Sequence, residues 1–139
     1  MPRPSSCIAI LALSLILACC SADNVSPEGA VKAFMAAVAS LKSEQAYNLL
    51  APETQRELQR LAEKATLQTG GRHQQKPEEM LLLGLVQSRH EVHKMELISQ
   101  DDQRAKVKLI SKGKAKATEE LELVKVDGGW RVLLKLSAE

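Results

Sequence analysis

Arg104-Ala105-Lys106-Val107-Lys108-Leu109-Ile110 alternates charged and apolar side chains, and Glu120-Leu121-Glu122-Leu123 repeats the alternation with the opposite charge. A period of two puts successive side chains on opposite faces of a strand, so each segment has one apolar face and one wet face. Antiparallel pairing with Val107 opposite Leu121 buries both apolar rows on the same side. The same register sets Lys108 beside Glu120 and Lys106 beside Glu122 on the other side. Working outward, Asp127-Gly128-Gly129 is a tight-turn signal leading into a strand over Trp130–Leu136, and Asp101-Asp102 turns back to a strand over Val92–Ile98. Gly113 marks the turn between the central pair. The consecutive apolar pair Leu123-Val124 interrupts the alternation and predicts a bulge there, or a strand covered on both faces.

The stretch Arg104–Lys116 carries six basic residues and no acid. Facing glutamates across a solvated sheet surface account for this comb without a partner. Contact with anionic lipid headgroups is the alternative reading.

Upstream of the strands the period changes. Ser26-Pro27-Glu28 is a helix start, with an N-cap hydroxyl, proline at the first helical position and an acid in the first turn. Val31, Phe34, Met35, Val38 and Leu41 then recur at helical spacing. A short second helix is predicted from Ser43, carrying Ala46, Tyr47 and Leu50. Pro52 opens a third, with Leu58, Leu61, Ala62 and Ala65 on one face and Gly70-Gly71 ending it. Residues 72–76 read as loop, and Pro77 starts a fourth helix through Met80-Leu81-Leu82-Leu83 to about Val86. Helices followed by strands predict an α+β domain, its N-terminal helices packed in a curved antiparallel sheet of about four strands.

The chain has 139 residues, enough for one domain. It carries 19 basic and 17 acidic residues, too balanced for a nucleic-acid binder that works by counterion release. Phe34, Tyr47 and Trp130 are the only aromatic residues, which leaves no material for base-stacking platforms.

Residues 7–20 form an apolar run broken only by Ser14 and preceded by Arg3. That is shorter than the ~20 residues a membrane span needs, and it has the layout of a secretory signal. Ile16-Leu17-Ala18-Cys19 at its end resembles the lipobox of bacterial lipoproteins. The resemblance implies a diacylglycerol thioether on Cys19, cleavage before it and acylation of the new amine. Lipidation of Cys20 and an ordinary signal cleavage nearby are the alternatives. On this reading residues 1–18 are a signal peptide, 19–25 a lipidated tether and 26–137 the folded domain. Cys20 rather than aspartate after the anchor implies the outer membrane, at its periplasmic face, in a Gram-negative cell. Cys7, Cys19 and Cys20 are the only cysteines, so the domain has no disulfide, thiol nucleophile or thiolate metal site of its own.

His90-Glu91-Val92-His93 lacks the four-residue histidine spacing of a helical zinc motif, because position 94 is Lys94. No nucleophile elbow or phosphate loop is present. The acidic pairs Glu78-Glu79, Asp101-Asp102 and Glu119-Glu120 lie in a helix start, a turn and a strand, and none sits in an apolar stretch that would bury it as a general acid requires. No catalytic constellation and no cofactor site is expected from the sequence.

Ser26-Pro27-Glu28-Gly29-Ala30-Val31 with Phe34, then Ala46-Tyr47-Asn48-Leu49-Leu50, then Asp127-Gly128-Gly129-Trp130-Arg131-Val132 together resemble the nuclear transport factor 2-like (cystatin-like) superfamily, in particular its small bacterial lipoproteins of unknown function. The resemblance spans about Val25 to Leu136. It implies a cone in which a bent sheet wraps the helices and leaves a pocket at the wide end. The expected function is a membrane-anchored, non-catalytic binding or accessory module, with Phe34, Met35, Tyr47 and Trp130 lining a pocket for a small apolar ligand or peptide. Some relatives are isomerases or dehydratases, which makes a small isomerase or hydrolase using Tyr47 the second reading. A homodimer formed through the sheet face is the third.

Overall fold

Ser26 caps the first helix as its sequence predicts. Its hydroxyl accepts the Gly29 amide at 3.0 Å, and Pro27 occupies the first turn, where an N–H would have no helical acceptor. A computed structural model describes residues 24–86, 91–112 and 117–136. Four helices, α1 (Pro27–Ala39), α2 (Ser43–Asn48), α3 (Pro52–Gln68) and α4 (Pro77–Val86), precede four strands, β1 (Val92–Gln100), β2 (Arg104–Ser111), β3 (Thr118–Val126) and β4 (Gly129–Leu133). The strands form one open antiparallel sheet in the order β1-β2-β3-β4. The class is α+β.

The register of the central pair is the one that the alternation dictates: Val107 faces Leu121, Lys108 faces Glu120 and Lys106 faces Glu122. Ala105, Val107, Leu109, Leu121, Leu123, Trp130 and Val132 are all buried on one side of the sheet. Against them lies α1, through Ala30, Val31, Phe34, Ala37 and Val38. Leu58 of α3, Leu81 of α4 and Leu50, which lies between α2 and α3, extend the same core. On the wet side the ion pairs run diagonally rather than straight across. Lys106 reaches Glu120 at 3.6 Å, while Glu122 takes Lys135 at 2.9 Å.

Two expectations need correction. No bulge falls at Leu123-Val124, because β3 pairs with both neighbours without a shift. Leu123 is in the core and Val124 is half-buried between Arg104 and Arg131 on the opposite face. The register shifts lie in β1, between Val92 and Lys94 and between Leu97 and Ser99. The last strand also stops at Leu133, not Leu136. Leu134 leaves the ladder because Thr54 of α3 captures it: the Thr54 hydroxyl donates to the Leu134 carbonyl at 3.2 Å and accepts the Leu134 amide at 3.0 Å.

Thr54 is 1% exposed, and its hydroxyl answers both backbone groups of the half-buried Leu134. Thr54→Val keeps the shape and removes both bonds. It is expected to cost about 1–3 kcal/mol in urea unfolding, while Thr54→Ser, which keeps the hydroxyl, costs clearly less.

Candidate functional site

Tyr47 projects from α2 toward α3. Its hydroxyl donates to the Gln55 carbonyl at 3.3 Å, and the Gln55 side-chain amide donates back to the Tyr47 carbonyl at 2.9 Å. Burial, and then the charge of Glu78 in the first turn of α4, push the phenol above its usual range. A neighbouring carboxylate that holds a phenol protonated is the opposite of what nucleophilic or base catalysis through Tyr47 requires. The arrangement instead ties α2 to α3 at a half-buried position.

Because Tyr47 is the only tyrosine, its ionisation can be followed directly by ultraviolet absorbance. A phenol whose native pKa is raised contributes stability that is fully present below the unfolded value and is lost as pH rises through the native one. The phenolate signal of the folded chain is therefore expected to appear above the ordinary tyrosine range near pH 10, with stability falling over the same interval. Glu78→Gln removes one of the two causes and is expected to move the titration back toward that range.

The other predicted lining residues sit deeper. Phe34 is 2% exposed and Trp130 is 1% exposed, both within the core cluster, while Met35 is half-buried at its margin. Lys125 lies over the Trp130 ring at 5.7 Å from its centroid, at the β3–β4 end of the sheet. None of Phe34, Met35, Tyr47 and Trp130 lines either of two surface clefts. One, of about 310 Å³, lies at the β1–β2 turn among Asp101, Arg104, Lys106 and Glu122. The other, of about 450 Å³, lies between the end of α3 and the loop before α4, among Gln59, Glu63, Thr66, Leu67 and Gln75. Thr66 shapes the second cleft, its hydroxyl accepting the Gln75 amide at 2.9 Å. Sequence reading could not find either cleft, since each is assembled from segments whose own periodicity explains them as solvated surface.

In the first cleft Asp101 accepts the amides of Gln103 and Arg104 at 2.8 and 2.7 Å, which hold its carboxyl below the usual range. That is a turn-closing role. Glu122 is held low by Lys135. Among the described residues no cluster of three or more histidine, cysteine or acidic side chains could hold a metal ion. His93 is exposed on β1, and His90 and Cys19 lie outside the described residues.

No family model, curated protein or solved structure matches this chain. The case for function therefore rests on the chain's own residues. Among the described residues no helix is long and apolar enough to cross a membrane.

Proposed function

We propose that this chain is an envelope lipoprotein. It is exported, acylated at Cys19 and cut before it, and it presents a non-catalytic accessory domain at the lipid surface. In a Gram-negative cell that surface is the periplasmic face of the outer membrane. The observation that carries this reading is Ile16-Leu17-Ala18-Cys19 closing an apolar run, followed by a domain with no cysteine beyond Cys20.

The connection between anchor and domain supports it. From Cys20 to Val25 the chain reaches at most ~20 Å when fully extended. The side chain of Asn24 lies against the β3–β4 turn, its amide nitrogen 2.6 Å from where a Cβ on Gly129 would stand. A short tether entering at that turn would hold this end of the sheet nearest the lipid. We assign the finer architecture to the nuclear transport factor 2-like cone. Helices against one face of an open antiparallel sheet, and two register shifts that would bend β1, support that assignment.

Fractionation of cells expressing the full chain, with mass measurement of the mature N-terminus, tests the reading. Membrane-bound protein beginning at an acylated Cys19 is expected. A freely soluble polypeptide still bearing Met1 would overturn it.

A further inference from the structure

The sheet has two edges, and the chain treats them differently. Beside β4, Leu50 forms a parallel bridge with Val132. The Ala51 amide donates to the Val132 carbonyl at 2.8 Å, and the Val132 amide donates to the Leu49 carbonyl at 2.9 Å. That edge is capped at Val132. Beside β1, no described element pairs with the outward backbone groups. An open edge of this kind is a template for another strand. It is also where large apolar side chains are left out of the core: Leu97 is 40% and Ile98 is 48% exposed.

We infer that β1 pairs antiparallel with β1 of a second copy of this chain, about a two-fold axis at Met95, joining two four-stranded sheets into one. Charge complementarity selects the second copy and the register. Between the two register shifts, residues 94–97 pair regularly with β2. Lys94 and Glu96 stand on the same face of β1 and reach each other at 2.6 Å. Among two-fold registers that keep each sheet face continuous, centring on Met95 sets Lys94 of one protomer opposite Glu96 of its partner, and symmetry makes the pair twice. Centring on Lys94 or on Glu96 would set like charges face to face instead. The register shifts at either end limit the pairing to a short segment, which makes this a reversible dimer rather than a growing edge-to-edge stack.

The dimer goes beyond the envelope reading and does not depend on acylation. Sedimentation of the full chain in excess detergent, over a concentration series, is expected to show a monomer–dimer equilibrium. Lys94→Glu and Glu96→Lys each place like charges in both symmetric pairs, and each is expected to weaken self-association about tenfold or more. Mixed one to one, the two variants become complementary and are expected to form a heterodimer about as well as the original chain pairs with itself. Hydrogen exchange on the unaltered chain gives a readout that needs no variant: amides of residues 93–97 gain protection as concentration rises. A chain that stays monomeric throughout, single variants that associate undiminished, or a mixture that fails to recover pairing would each overturn the inference.

Discussion

Replacing Trp130 with alanine is expected to lower the free energy of unfolding by about 3–5 kcal/mol, a large share of the about 5–15 kcal/mol that holds a typical domain together. Trp130 is 1% exposed, the largest of the fully buried side chains, and sits in a strand of 5 residues. Its neighbours cannot collapse into the space it leaves. Leu123 and Val132 are fixed by the β3–β4 ladder, and β4 is held on its other side by Leu50. The core that would have to close is completed by α1, whose Phe34 is 2% exposed. A rigid lining turns the lost side chain into a cavity, and the cost of truncation grows with the cavity that remains. Trp130→Phe keeps most of the apolar contact and should cost much less, although it gives up the Lys125 contact with the indole. Urea titration followed by circular dichroism reads both variants without needing the lost fluorophore. A loss below about 1 kcal/mol for alanine would mean that the sheet and α1 do not share one core.

What could be read from the sequence follows the range of the interactions involved. Pro27, Pro52 and Pro77 each stand in the first turn of a helix, and the Ser26 hydroxyl caps the first of them, whereas α2 begins at Ser43 with no side-chain cap. The β2–β3 register was legible because Lys106, Lys108, Glu120 and Glu122 agree with the apolar rows on the same answer. Thr54 was not legible: its partner Leu134 is 80 positions away, and nothing local marks a threonine on a helix as the residue that ends a strand. Leu41 is a second case. The amides of Leu41 and Lys42 bond back to the carbonyls of Val38 and Ala37, and Leu41 itself takes a positive φ of 56°. The end of α3 makes the same two bonds with Gly70 and Gly71. Glycine announces that motif and leucine hides it. The register shifts of β1 likewise have no signal in Val92–Gln100.

The candidate site divides along the same line. Phe34 and Trp130 are aromatic, a residue type that serves both as ligand wall and as core filler, and sequence alone does not separate the two uses. Tyr47 was legible as a helix residue facing inward, but its reciprocal bonds with Gln55 and the nearby Glu78 come from three different helices. The lipidation proposed at Cys19, by contrast, rests on a contiguous motif, Ile16-Leu17-Ala18-Cys19.

That proposed anchor carries the other large prediction. Cys19→Ala is expected to remove all acyl mass from the chain and to leave residues 1–18 attached, because in the lipoprotein route cleavage follows modification of the thiol. The thermodynamic consequence is out of proportion to one sulfur atom. Each buried methylene contributes about 0.8 kcal/mol, one acyl chain gives only reversible binding, and two or more together make the attachment stable. Losing the thiol loses the diacylglycerol and the later acyl chain in one step. The remaining apolar run of residues 7–20 is shorter than the ~20 residues a span requires, so it does not substitute for them. Incorporation of labelled palmitate, together with intact mass, reads both effects. Cys20→Ala should leave the acyl mass and the cleavage in place. If the two cysteines exchange roles, with acylation lost on changing Cys20 and kept on changing Cys19, the anchor is one residue further on and the lipobox must be read as Leu17-Ala18-Cys19-Cys20.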